Sequence, residues 1–268
     1  MAPQSSLLAH PPATHPLTLG VVSFLNARPL HEHLAGRDGV LIRGDVPSQL
    51  GLLLDDGHCD VALLPIVDSH ARRGRLELIS DACIASDGET MTVRVFSRIP
   101  PDKVRRLHVD GDSHTSIVLA QVIWRELYGT RLELVPLEPA RRGEAAGSAE
   151  SVLLIGDKVV REAPRGFGFE VDLGAAWKHL TDLPFVFAAW YAKAGGDHVD
   201  AARLLCEARD AGIADAGSIA RRAAAAHGWP EEAAVKYLCG VMRYTLSAPM
   251  RMAMERFFTI AERHGLLA

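Results

Sequence analysis

LTLGVVSFLNARPL, residues Leu17–Leu30, is the stretch around which the chain is organised. Leu19, Val21 and Val22 form an apolar run too short for a globular helix, so the stretch opens as a strand. It turns at Ser23–Asn26 and enters a helix, with Asn26 placed as N-cap and Pro29 in the first turn. A strand that delivers Ser and Asn to a helix N-terminus can bind an anion, because outward N–H groups and the helix dipole both favour negative charge there. The same residues also make an ordinary cap. This segment alone fits either role.

Downstream, the pattern repeats. Val40–Val46 reads as a strand, and Pro47 opens a helix through Leu50, Leu53 and Leu54 that Gly57 ends. Val61–Leu64 is a short buried strand, followed by Pro65 and a helical piece to about Arg72. Leu76–Ile84 and Met91–Ser97 are further strands. Strands alternating with helices predict βαβ units and a largely parallel sheet. The polar, proline-rich IPPDKVRR (Ile99–Arg106) marks a crossing between domains. A second α/β set follows, with strands at Leu107–Asp110, Arg131–Leu137 and Val152–Ile155 and a helix over Thr115–Tyr128. EPARRGEAAGSAE is too polar for core and reads as a surface helix or loop. Phe185–Trp190 is a strand returning to the first domain. Ala201–Ala208, Ser218–His227, Glu231–Leu246 and Pro249–His264 then read as helices.

The expected fold class is α/β, with two lobes joined by two crossover strands and closed by C-terminal helices. The expected division is a flexible extension at 1–16, a first lobe from 17–98 and 190–268, and a second lobe from 99–189. A cleft between two such lobes is a usual ligand site.

Composition narrows the function classes. The chain has 268 residues, 48% of them apolar and 23% charged, the balance of an ordinary globular protein. Its formal charge of −4 and lack of a basic run flanked by aromatics give no support for nucleic acid as a partner. No apolar run reaches the ~18 residues that cross a membrane. The first sixteen residues lack the basic start and long apolar core of a secretory signal, and the four scattered cysteines form no CxxC pair. A cytoplasmic location is expected. Oligomeric state is not legible.

Three further clusters can carry chemistry. In IASDGETMTV (Ile84–Val93), Ser86 and Gly88 can approach a ligand, although Ser-Asp-Gly is also a plain turn. In VDGDSHTSIVL (Val109–Leu119), hydroxyls at Ser113, Thr115 and Ser116 gather at a helix start, more than one cap requires. In LLIGDK, Asp157 ends a buried strand after a glycine, as a base, a ligand acceptor or an N-cap. His31-Glu32-His33 places its imidazoles at i and i+2, on different faces of a helix, so no metal site is expected. Nucleotide motifs of the GxGxxG and GxxxxGK[ST] types are missing, as is a GxSxG nucleophile elbow.

Taken together and in order, these stretches resemble the chorismate dehydratases of the futalosine route to menaquinone, a family with the type II periplasmic-binding-protein fold. The matching positions begin with Ser23-Phe24-Leu25-Asn26, Pro29-Leu30, Pro47-Ser48, Gly57, Asp60, Ala62-Leu63 and Pro65. They continue through Ser86, Gly88, Val93, Phe96-Ser97-Arg98, Asp110, Thr115-Ser116 and Leu154–Asp157. Asp172–Gly174, Trp177, Leu183–Ala188 and Trp190 complete the series. The chain departs from the family pattern at Thr90, Thr92 and His114.

The resemblance implies loss of water from chorismate, a small dicarboxylate, to give 3-[(1-carboxyvinyl)oxy]benzoate, with no cofactor. It implies carboxylate binding by Ser86, with Gly88 in its turn, and by Thr115 and Ser116. Ser23 and Asn26 would face the ring and its leaving hydroxyl. The proton would pass to Asp157 or to a carboxylate of the substrate itself. Two alternatives stay open: a sibling enzyme acting on a later intermediate of the pathway, and a solute-binding protein without catalysis.

Overall fold

Strand β1 (Leu17–Val22) forms as expected, and its last four residues are buried because it runs between two partners. It lies parallel to β2 (Val40–Asp45) on one side and to β3 (Val61–Pro65) on the other. The computed structural model describes residues 15–109, 111–137, 149–161 and 164–267. The proposed extension before His15, Asp110 and most of EPARRGEAAGSAE therefore lie outside the described residues.

Between β1 and β2 the chain makes a short 3-10 turn, Leu25–Ala27, and α1 (Arg28–His31). Helix α2 (Pro47–Asp55) precedes β3, and α3 (Ile66–His70) separates β3 from β4 (Leu76–Ser86). The chain then builds β5 (Val93–Ser97), β6 (Arg106–Val109), α4 (His114–Tyr128), β7 (Glu133–Pro136) and β8 (Ser151–Ile155). Next come α5 (Lys158–Arg161), β9 (Phe169–Asp172) and α6 (Leu173–Thr181). It returns through β10 (Phe185–Lys193) and continues as α7 (Val199–Ala214), α8 (Ala216–His227) and α9 (Glu231–Lys236). A π-helical turn (Tyr237–Val241) leads to β11 (Met242–Thr245) and the last helix, α10 (Ala248–Arg263).

The strands make two sheets, ordered β11-β4-β10-β3-β1-β2 and β7-β6-β8-β5-β9. Neither is largely parallel. Each is parallel where βα units follow one another, and antiparallel where a strand has crossed from the other body, β10 against β3 and β4 and β5 against β8 and β9, and at the edge strand β11 against β4.

Sheet membership moves the crossing. Val93–Ser97, expected in the first lobe, pairs in the second sheet, so the chain changes sheet at residues 87–92, ahead of IPPDKVRR. All of β10 pairs in the first sheet, which puts the return at residues 182–184. Both crossings hold a non-glycine residue in the left-handed region, Met91 at φ 61° and Asp182 at φ 57°. Met91 is the less usual of the two, since a long side chain disfavours that region. The Asp172 carboxylate holds it there, accepting from the N–H groups of Thr90 and Met91, from the Thr90 hydroxyl, and from Gly174 and Ala175 at the start of α6.

Two expected helical features fail for local reasons. The helix expected over Glu231–Leu246 stops at Lys236, because Met242 and Tyr244 alternate with exposed Arg243 and Thr245 and so form an edge strand on β4. Asn26 is no N-cap: it sits inside the 3-10 turn, where no side chain caps the backbone, and α1 has only four residues. Its amide is left for other work.

One continuous apolar core runs through both sheets. Trp177 of α6, Phe185 of β10 and Phe257 of α10 meet edge to face at 5.1–5.9 Å between ring centroids. Each fully buried ring stabilises the fold by roughly 1.5–3 kcal/mol. Together they tie the return crossing to the C-terminal helix.

Candidate active site

The 3-10 turn after β1 brings Asn26 to a cavity between the two sheets. Val22 and Asn26, Ile84 at the end of β4, and Phe187 and Ala188 of β10 supply the first-sheet wall. Val93 of β5, Ile155 of β8, Gly156, and Ser113 and Ser116 at the start of α4 supply the facing wall. Thr90 and Thr92, from the crossing itself, and Tyr237, from the π-helical turn, complete the polar set. The free space is about 50 Å3, short of the roughly 300 Å3 or more of a small-molecule pocket. A ring-sized ligand therefore requires the two walls to part.

The polar groups are ordered by one another. Thr92 Oγ1 and the Tyr237 hydroxyl lie 2.7 Å apart, and either can donate. The Tyr237 ring is wholly buried, and this loss of solvent pushes its phenol well above the usual tyrosine range, so it stays neutral. Asn26 Oδ1 is buried with no hydrogen-bond partner among the described residues. Ser113 caps α4, its hydroxyl accepting from Ser116 N–H at 3.3 Å and lying 3.1 Å from Ser116 Oγ. The first turn of a fifteen-residue helix thus borders the cavity, a setting that favours an anionic group. Gly156, at φ 65°, lets the backbone approach the Phe24 ring, whose atoms would lie 2.8 Å from an added Cβ. No Asp, Glu, His, Lys or Arg lines the cavity among the described residues.

Of the residues singled out in the sequence, the structure brings Asn26, Ser113 and Ser116 to this cavity. The others have local tasks. Ser86 is fully buried at the end of β4 and donates to the Gly88 carbonyl at 3.2 Å, closing the Ser-Asp-Gly turn; Gly88 takes φ 104° there. Thr115 is fully buried, and its hydroxyl accepts from Val67 N–H at 3.2 Å, joining α4 to α3. Ser23 is exposed at the end of β1, its N–H bonded to the Asp45 carbonyl.

Asp157 departs furthest from its expected role. Its carboxylate accepts from Leu25 N–H and Trp229 Nε1–H and meets His227 Nδ1, and it does not border the cavity.

Sequence reasoning missed Tyr237 and undervalued Thr92. Thr92 stands out in the sequence as a departure from the family pattern. Tyr237 lay inside an expected helix and gave no signal. A larger hollow of about 740 Å3 opens on the other side of Met242, bordered by Lys178, Asp87 and Asp182. It receives none of the singled-out residues, and Lys178 is already paired with both acids. Among the described residues no group of three His, Cys, Asp or Glu side chains can hold a metal ion, and no helix is long and apolar enough to cross a membrane.

Comparison with known proteins places the chain in a family and agrees with its fold. A sequence model of a family described as menaquinone biosynthesis matches residues 17–263. A chorismate dehydratase of Thermus thermophilus is 29% identical over 271 residues, covering 94% of this chain and 96% of that protein. An X-ray structure of a protein from Archaeoglobus fulgidus superposes with TM-score 0.74 at 14% identity, covering 95% of this chain and 99% of the other. The alkanesulfonate-binding protein SsuA of Xanthomonas axonopodis pv. citri, bound to MOPS, gives TM-score 0.66 at 13% identity, with 96% of each chain covered. At such identities the structural likeness shows the fold alone, that of two-lobed periplasmic binding proteins.

Proposed function

The chain belongs to the menaquinone-biosynthesis family, and from that premise we propose that it removes water from chorismate to give 3-[(1-carboxyvinyl)oxy]benzoate. The Thermus relative that bears the name chorismate dehydratase matches almost the whole chain. One observation carries the mechanism: the cavity offers neutral hydrogen-bonding groups between apolar walls, with no ionisable side chain among the described residues other than a phenol held neutral.

The bond changes balance without an outside reactant. The C–H bond on the ether-bearing ring carbon breaks, its electron pair forms a new ring double bond, and the neighbouring C–OH bond breaks. Hydroxide leaves with a proton as water, and the ring becomes aromatic. The protein has to hold two carboxylates, steady the departing hydroxyl and keep bulk water out.

Ser113 and Ser116 at the start of α4 suit a carboxylate. Asn26, Thr92 and Tyr237 suit the leaving oxygen, because each can offer a hydrogen bond that strengthens as charge develops. Phe24, Ile84, Ile155 and Phe187 make the apolar walls. In so dry a setting a substrate carboxylate binds a proton more readily than in water. The substrate's own carboxylate, rather than Asp157, is therefore the proton acceptor in this reading. The free cysteines at Cys59, Cys83, Cys206 and Cys239 suit a reducing cytoplasm as the place of action.

Purified protein given chorismate alone should yield a product lighter by one water with the absorbance of a substituted benzoate. Binding without turnover would make it a solute-binding protein. Inertness toward chorismate, with turnover of a later pathway intermediate, would assign it to the sibling reaction.

A further inference from the structure

Asp157 follows Gly156 after the last residue of β8, in the second sheet, yet the donors that reach its carboxylate come from the first-sheet body. Leu25 N–H lies 3.3 Å from both oxygens. Trp229 Nε1–H donates to Oδ1 at 2.8 Å, and His227 Nδ1 lies 2.7 Å from Oδ2. The side chain is only about a tenth exposed. Two of these donors adjoin residues that line the cavity. Leu25 precedes Asn26, and Trp229 stacks on Tyr237 with ring centroids 4.8 Å apart.

We propose that Asp157 is a latch that couples closure of the two sheets to assembly of the site, drawing the Leu25–Asn26 turn and the Trp229–Tyr237 ring pair against the end of β8. Thr92, which reaches the cavity from the crossing between sheets, then meets the Tyr237 hydroxyl. Hydrogen bonds to an ionised carboxylate are the stronger kind. On opening, water replaces the three donors, so the net gain from latching is modest and closure stays reversible. That suits a cavity that must part to admit substrate. Asp157 is thus a positioning residue that acts through Leu25 and Trp229, and it touches no reacting atom.

Three variants separate this role from others. Asp157→Asn keeps an oxygen for Leu25 and Trp229, and its amide can donate to His227 in the other tautomer. Asp157→Ala removes the latch. Trp229→Phe removes one donor and keeps the stack on Tyr237, and it carries the same expectation should Asp157→Ala fail to fold. The readouts are small-angle scattering of the substrate-free protein, and kcat and KM with chorismate.

Asp157→Ala should expand the particle, and a tenfold smaller closed fraction should weaken apparent binding about tenfold. Trp229→Phe should do the same in part, and Asp157→Asn should stay close to the parent on both readouts. Asp157→Asn as inactive as Asp157→Ala, with parental scattering, would overturn the latch in favour of a proton-transferring carboxylate. Parental scattering and kinetics in Asp157→Ala would reduce the residue to packing. The rate readout rests on the chorismate reading. The scattering comparison does not, so a parent inert toward chorismate sinks the reaction while the latch is still decided.

Discussion

Trp229 lies nearly flat on Tyr237, the ring planes 16° apart, so one ring gives its N–H to Asp157 while the other sets its hydroxyl against Thr92. The stack joins an inter-sheet contact to the polar end of the cavity through two rigid side chains. Tyr237→Phe keeps the stack and removes only the hydroxyl. If that hydroxyl steadies the departing oxygen, kcat should fall by about tenfold or more, the scale of one charge-stabilising hydrogen bond. Thr92→Ser should stay near the parent. Thr92→Val strands a buried phenol and should also lower stability, by about 1–3 kcal/mol in urea titration. Parental kcat in Tyr237→Phe would remove the phenol from the mechanism.

Ser116 and Thr115 are neighbours with different fates, and substitution should tell them apart. Ser116 borders the cavity, so Ser116→Ala should weaken chorismate binding by about 1.5–3 kcal/mol, as for a bond to a charged group. Thr115 faces Val67 instead. Thr115→Val should lower stability by about 1 kcal/mol and leave the binding constant nearly unchanged. Calorimetric titration with substrate checks both, and the reverse pattern would place the carboxylate at Thr115.

The sequence carried the fold well because its strands are short apolar runs set off by Pro and Gly. LTLGVV and VALLP could hardly be anything else. It was less legible where the chain changes sheet. Val93–Ser97 looks like the strands before it, and only its pairing with β8 and β9 reveals which body it joins. Polar residues at strand ends show which donors exist and not where they point. The resemblance turns Ser86, Thr115 and Asp157 toward a ligand, and the structure shows them bonded in a turn, a helix contact and an inter-sheet contact. Asn26 reads from the sequence as a cap, and the resemblance sets it against the ring and its leaving hydroxyl. It lines the cavity because it caps nothing.

Two histidines give pH dependences of opposite sign. Burial, aided by the Arg28 charge, lowers the His31 pKa from 6.5 to about 4. Between those values the unfolded chain binds a proton that the folded one refuses, so stability falls as the solution is acidified, by up to ~1.4 kcal/mol per pH unit. His31→Gln should flatten that limb in denaturant titrations run from pH 7 to pH 4, limits set by the two values. His114 behaves in the opposite way. Its hydrogen bond to Asp68, 2.6 Å long, raises its pKa against the effects of burial and Arg72. Its contribution is full below the ordinary histidine value and is lost as pH rises through the raised one. Because Asp68 lies on α3 and His114 on α4, this contact between the two bodies should weaken on the alkaline side. A scattering radius that grows with pH in the parent and not in His114→Gln is the expected result. Equal behaviour of the two would dismiss the pair.

Gly212 fixes how closely α7 approaches the segment that carries Asn26. An added Cβ would lie 1.7 Å from the Pro29 carbonyl oxygen, which no side-chain adjustment relieves. Gly212→Ala should push α7 from α1 and lower stability by about 1–3 kcal/mol, the usual range for overpacking. A parental melting temperature would mean that the helices are less tightly seated than this contact requires.

The central claim is that Asn26 and its neighbours dehydrate chorismate in the cavity between the sheets. Its most direct measurement compares the parent and Asn26→Ala, each given chorismate alone, with kcat from product formation and the dissociation constant from calorimetry. Asn26 Oδ1 has no partner among the described residues, and the substitution also removes the hydrogen bond between the Asn26 side chain and the Tyr237 hydroxyl. The expected result is product from the parent, and a variant that binds chorismate within about threefold of it while kcat falls by about a hundredfold or more, since an interaction made mainly in the transition state appears in kcat. A variant that turns chorismate over at the parental rate, or a parent that forms no product, would contradict the account.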